Sequence, residues 1–299
     1  MQVTLHAPGS DTRGWGHFFR LCALGEGLLS AGHEVFFSVT NRDPQLSLRA
    51  ANLGFRTSSP TSKGQHSSWV SIVDDYEPDV DFFRQLQESG SSIIQIVDSG
   101  TRRRLEDATF IRPDPLLLGD GDLSGLSYAL IARDVRCRKW TSRSSARPQV
   151  AVAIGGTGER LNREVTRILG ELDCADFVDA RQLMSQDLVD RSSFLDCISE
   201  STFAVVGAGT MLWECCAMGV PTLALSVIEN QRSQAHWAAE NRLCLTAGIE
   251  DTEAMLLQFE ALSHDEVLRR EISKRGPGVI DGRGVDRVVD FLQDRFGRG

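Results

Sequence analysis

The 299 residues carry 32 Lys and Arg against 41 Asp and Glu, a formal charge of −9. That balance excludes a general nucleic-acid binder, which needs a basic face to displace counterions from phosphate. With 41% hydrophobic and 24% charged residues the chain is globular and long enough for two domains, each with its own core, or for one large α/β domain.

Residues 3–7 read as a short strand, 8–16 as a glycine-punctuated loop, and 17–31 as a helix whose Phe18, Leu21, Cys22, Leu28 and Leu29 recur at helical spacing. Gly32 closes that helix, and residues 35–39 form a second strand, so the opening is a parallel βαβ unit. A helix at 43–52, a strand at 69–73, a helix at 80–88 and a strand at 92–97 continue the alternation of a doubly wound domain. The polar Arg- and Ser-rich residues 136–148 break the pattern, which places the domain boundary there, between domains 1–140 and 149–299. The second half repeats the scheme with a strand at 149–154, a helix at 159–172, a strand at 203–206, a helix at 211–218 and a strand at 222–225. Residues 285–296 form an amphipathic helix that can pack back on either domain. The seven cysteines show no zinc spacing and suit a reducing cytosol. Neither a signal peptide nor a long apolar span is legible, so a cytoplasmic protein without a membrane span is expected.

Three glycine-rich turns each follow an expected strand and open a helix: Gly14-Trp15-Gly16-His17, Gly155-Gly156-Thr157-Gly158 and Gly207-Ala208-Gly209-Thr210. Backbone N–H groups and the helix dipole at such turns favour an anion, which makes Gly16, Gly155, Gly156, Thr157, Gly209 and Thr210 candidates for binding a diphosphate. His17, at the start of a helix whose positive end favours the neutral imidazole, is the candidate general base. Its structural alternative is a helix-capping histidine. Glu214 stands in an otherwise apolar helix, where a carboxylate is costly unless exposed, paired with an arginine, or bound to a vicinal diol. Asn230 and Gln231 follow the strand at 222–225 and are either sugar ligands or an ordinary polar turn. The first loop lacks G-x-G-x-x-G, which argues against a dinucleotide dehydrogenase.

The pieces Gly14-Trp15-Gly16-His17-Phe18-Phe19-Arg20, Val73-Asp74-Asp75-Tyr76, Ala208-Gly209-Thr210-Met211-Leu212-Trp213-Glu214, Gly219-Val220-Pro221 and Glu229-Asn230-Gln231 together resemble a family. It is that of the UDP-sugar hydrolase of pseudaminic acid biosynthesis and its spore-coat polysaccharide relatives, within the glycosyltransferase-B superfamily. The Gly155-to-Asn162 stretch is instead similar to the Gly-rich loop of the peptidoglycan glycosyltransferase that makes lipid II, with Gly158 where the hydrolase has an acid. Asp98-Ser99-Gly100 likewise departs from the hydrolase's Asp-Asp-Leu.

The resemblance implies two Rossmann-like domains facing across a cleft that holds a UDP-sugar. It implies His17 as general base, Gly155, Gly156, Gly209 and Thr210 around the diphosphate, Glu214 on the ribose, and Tyr76, Asn230 and Gln231 on the sugar or acceptor side. No metal and no cofactor is expected, and the partners are the UDP-sugar donor and a small-molecule acceptor. An inverting glycosyltransferase is the first functional reading. A UDP-sugar hydrolase with water as acceptor and a non-catalytic nucleotide-sugar-binding protein remain beside it.

Overall fold

The structure, a computed structural model, describes residues 1–8, 16–39, 44–58, 70–117, 123–141, 147–154, 159–180 and 191–297. The chain divides into two compact units, Met1–Arg133 with Arg283–Gly299, and Asp134–Gly282.

The first unit runs β1 (Gln2–Ala7), α1 (Gly16–Ser30), β2 (Glu34–Val39), α2 (Pro44–Asn52), β3 (Arg56–Ser58), β4 (Val70–Val73), α3 (Val80–Glu88), β5 (Ser92–Ile96), β6 (Thr109–Arg112) and β7 (Leu123–Ser124). Its strands pair in parallel in the order β3-β2-β1-β4-β5-β6-β7. Val3 and Leu5 of β1, Val35 and Phe37 of β2, Val70 and Ile72 of β4, and Ile94 and Ile96 of β5 point into one core. Leu21, Leu24 and Leu28 of α1 close it from above. α1 lies close on the sheet because Gly25 faces Leu5 and Phe55 where a Cβ would collide with both.

The second unit runs β8 (Gln149–Ala153), α4 (Glu159–Gly170), β9 (Asp176–Asp179), α5 (Arg191–Glu200), β10 (Phe203–Gly207), α6 (Thr210–Met218), β11 (Thr222–Ser226), α7 (Glu229–Glu240), β12 (Leu245–Gly248), α8 (Thr252–His264) and α9 (Glu266–Val279). The parallel order is β12-β11-β10-β8-β9. Its central strands β8, β10 and β11 are apolar and buried except for polar residues at the ends of β8 and β11, as suits parallel strands covered on both faces. Gly219, in the left-handed conformation (φ 72°), ends α6.

The last helix, α10 (Gly284–Phe296), belongs to the first unit, where Val285, Val288 and Leu292 enter the core and Arg133 reaches Asp286 at 2.9 Å. The units divide upstream of the 136–148 stretch, between Arg133 and Asp134. The reason lies in residues 134–141, which are stitched to the second unit. Trp140 donates its backbone N–H to Met218 (2.9 Å) and its indole N–H to Ser201 (2.9 Å), and Arg138 reaches Asp196 at 2.7 Å.

Candidate functional site

In each sheet the chain first winds outward to one side and then starts again on the other, which leaves a switch point between β1 and β4 and another between β8 and β10. Loops at the carboxyl ends of the strands beside such a point are where open α/β sheets bind ligands. The candidate residues fall at these two places.

At the first, His17 stands in the opening turn of α1 and is 3% exposed. Its Nδ1 lies 2.8 Å from Oδ1 of Asp74, a fully buried carboxylate just beyond the end of β4. Arg20, one turn further along α1, donates Nε to Oδ2 of Asp74 at 2.5 Å and Nη2 to Oδ1, and sends Nη1 to Asp98 at 2.8 Å. Burial by itself would raise the Asp74 carboxyl, but Arg20 and His17, through charge and hydrogen bonds, outweigh it and hold it at about 2. For Arg20 burial works downward, and the two carboxylates overcome it to leave the guanidinium firmly charged.

An ionised carboxylate only accepts, so the proton between His17 and Asp74 belongs to Nδ1, and in the neutral imidazole Nε2 carries the lone pair. The 3.1 Å approach of Arg20 Nη2 to Nδ1 is then two donors converging on one carboxylate oxygen. Nε2 is buried and has no hydrogen-bond partner among the described residues. The Tyr76 ring meets the imidazole edge to face, with centroids 4.3 Å apart at 74°. Gly16 is exposed at the first position of α1, while Gly14, Trp15 and Asp11 lie outside the described residues.

At the second switch point, Gly209 and Thr210 form the amino end of α6 after β10. Gln231 in the first turn of α7 accepts from the Val227 N–H at 3.0 Å, and its Nε2 lies 3.5 Å from where a Cβ on Gly209 would stand. Asn230 is its neighbour in that turn, so both residues belong to a helix start rather than to a loop. Glu214 is buried one turn into α6 and ion-paired with Arg191, the first residue of α5. The costly carboxylate thus has an arginine beside it. Gly155, Gly156 and Thr157 lie outside the described residues.

The structure brings His17 and Tyr76 together in the first unit, and Gly209, Thr210 and Gln231 together in the second. It adds four residues that the sequence reading left without a role: Arg20, Asp74, Asp98 and Arg191. Three of them carried a signal. Asp74 and Asp98 are acids following apolar strands, and Arg20 is three residues past His17 on the same helix face. Arg191 had none. A second histidine of the first unit is His6, in β1. It is buried against Phe82 (5.1 Å, 69°), and neither ring nitrogen has a hydrogen-bond partner among the described residues. Burial lowers it to about 4.

Among the described residues no group of three or more His, Cys, Asp or Glu side chains is placed to hold a metal ion. None of their helices is long and apolar enough to cross a membrane.

Comparison with solved structures sets the class. The MurG structure from Acinetobacter baumannii matches with a TM-score of 0.67 and 11% identity, covering 98% of this chain and 99% of that one. The spinosyn rhamnosyltransferase SpnG matches at 0.62 and 14% identity over 97% of this chain and all of its own. SpnG also matches as its complex with thymidine diphosphate, at 0.60. Across such low identity the shared property is the architecture: the chain has the glycosyltransferase-B fold. In sequence it is similar to the spore coat polysaccharide biosynthesis protein SpsG of Bacillus subtilis (strain 168), 30% identical over 102 residues. That stretch spans 33% of this chain and 30% of SpsG. No family model matches the sequence.

Proposed function

We propose that this protein is a metal-independent, inverting glycosyltransferase that moves a sugar from a UDP-activated donor to a small-molecule acceptor in the cytoplasm, with His17 as general base. The observation that carries the proposal is the buried imidazole of His17, with Nδ1 held by Asp74 and Nε2 without a hydrogen-bond partner among the described residues. A neutral histidine in that form offers a lone pair that can take a proton.

In the proposed reaction Nε2 removes the proton of the acceptor hydroxyl while its oxygen attacks the anomeric carbon. The bond to the diphosphate breaks on the opposite face, inverting the centre. The second unit carries the nucleotide. The N–H groups at Gly209 and Thr210, together with Gly155, Gly156 and Thr157, stabilise the departing diphosphate in place of a metal. Glu214, beside its partner Arg191, takes the ribose hydroxyls, Asn230 and Gln231 take the sugar, Gly16 binds the diphosphate from the first unit, and Tyr76 flanks the base on the sugar or acceptor side. The thymidine diphosphate in the SpnG complex and the polysaccharide role in the name of SpsG agree with a nucleotide-sugar substrate.

Hydrolysis is the second reading, favoured by the hydrolase-like run of motifs around His17, Glu214 and Asn230. Purified protein incubated with a panel of UDP-sugars, with and without cell lysate as a source of acceptors, separates the two. Acceptor-dependent UDP release is expected. Rapid stoichiometric release without acceptor would replace transfer with hydrolysis, and no release in either arm would leave a binding protein.

A further inference from the structure

We propose that Arg20 and Asp98 are positioning residues for the His17 base, and that residues 98–103 hold that base in one tautomer and one orientation. The inference rests on the reading of His17 given above and deepens it.

Asp74 touches His17 through one oxygen only, and a carboxylate held at one corner turns about its own bond. Arg20 removes that freedom. Its fork engages both oxygens of Asp74, which fixes the carboxylate plane and with it the line along which Nδ1 donates. Arg20 is itself fixed, through Nη1 to Oδ2 of Asp98 at 2.8 Å. The other oxygen of Asp98 accepts the N–H of Gly100 at 2.9 Å, and its backbone N–H donates to Oγ1 of Thr101 at 3.0 Å. Ser99 in turn donates its N–H to the fully buried Asp114 at 2.7 Å, which also accepts from Leu116. Asp98 contributes its side chain to this support, and Ser99 and Gly100 contribute their backbone N–H groups.

The same loop also supports the ring packed on the imidazole. The backbone N–H groups of Arg102 and Arg103 both donate to the carbonyl of Tyr76, at 2.8 and 3.1 Å. Tyr76 is the ring packed edge to face on His17. One segment therefore braces His17 twice, through Asp98 and Arg20 on its Nδ1 side and through Tyr76 on its ring.

Charge points the same way. Asp74 and Arg20 cancel, so Asp98 supplies the surplus negative charge that an imidazolium needs when Nε2 has taken its proton. A network serving the fold alone has no need to converge on a histidine whose Nε2 has no hydrogen-bond partner among the described residues.

The test is nitrogen NMR of protein carrying ¹⁵N-labelled histidine, in the wild type, Asp98→Asn and Arg20→Lys, with His17→Gln identifying the His17 signals. The wild type is expected to show one neutral form, protonated at Nδ1. Asp98→Asn and Arg20→Lys are each expected to give a mixture of tautomers, and to lower kcat on the order of 10²-fold with donor KM unchanged, the cost of a small misplacement of a reacting group. Arg20→Lys keeps the charge and loses the fork, so its failure to restore a single tautomer separates geometry from charge. If Arg20→Lys does not fold by circular dichroism, the near-isosteric Asp98→Asn decides alone. A single Nδ1–H form and wild-type kcat in the folded variants would overturn the proposal. Full turnover in His17→Gln would instead overturn the reading of His17 as base, while the spectra would still report on the tautomer.

Discussion

Replacing Asp74 by asparagine changes almost no volume and strikes the contact on which the account of His17 depends. Oδ1 faces two donors, His17 Nδ1 and Arg20 Nη2, and Oδ2 faces a third, Arg20 Nε. An amide placed there must turn its NH2 toward one of these positions, so a donor meets a donor in either orientation. With the NH2 on the His17 side the imidazole is pushed into the Nε2–H form, which is no longer a base. An orienting carboxylate changed to an amide in a histidine-dependent site costs about 10⁴-fold in kcat through the wrong tautomer, and that is the loss expected here. UDP affinity, assigned to the second unit, should not change.

Stability supplies an independent check on the same variant. Asp74 is held at about 2, below the ordinary carboxylate value of 3.8, a difference worth about 2 kcal/mol at neutral pH. A lowered carboxylate stabilises the fold above its unfolded value, near pH 4, and that contribution is lost as pH falls toward 2. Urea unfolding should therefore find Asp74→Asn weaker than wild type by about 2–3 kcal/mol at pH 7, the larger figure including the poorly satisfied Arg20, with the gap narrowing below pH 4. Wild-type stability and a kcat within tenfold of wild type, that is within about 1.4 kcal/mol of barrier, would show that Asp74 does not orient His17.

Glu214→Ala should weaken UDP binding by about 1–3 kcal/mol by calorimetry, and equal affinity in the two proteins would remove Glu214 from the nucleotide site. Turnover should survive dialysis against EDTA, whereas activity lost there and restored by magnesium or manganese would reveal a ligand set not recognised above. His6 is neutral in the fold, and burial lowers it from 6.5 to about 4. The unfolded chain therefore binds the extra proton as pH drops through 6.5, and stability falls by about 2 kcal/mol between pH 6.5 and 5. His6→Leu should abolish that slope in urea titrations at the two pH values, and an unchanged slope would mean that the buried histidine is not its source.

The sequence disclosed the elements that bury apolar residues at a regular period. The opening strand, helix and strand and the segment Val80–Glu88 appear where the periodicity places them. It did not disclose β3, β6, β7 and β9, which are four residues or fewer and carry polar side chains, leaving too little pattern to read, nor did it place β12, α5, α8 and α9. α7 escaped for a related reason: only Ala235 and Ala238 of its residues are buried, so no apolar stripe marks it.

The site divides similarly. His17 and the glycine-rich turns are local features, visible because a helix must start where a strand ends. The partners of His17 and Glu214 are not local. Asp74 is 57 residues from His17, Asp98 is 78 from Arg20 and Arg191 is 23 from Glu214. Only the order of strands, which seats β4 beside β1, turns an acid after one strand into the neighbour of a histidine after another.

The most direct measurement is kcat of His17→Gln at saturating donor, with UDP-sugar affinity determined on the same preparation. If Nε2 of His17 takes the acceptor proton, kcat falls on the order of 10²–10⁴-fold, the usual contribution of a positioned general base, and donor affinity stays at its wild-type value. A near-normal kcat with weakened donor binding would contradict the account and make His17 a ligand of the substrate.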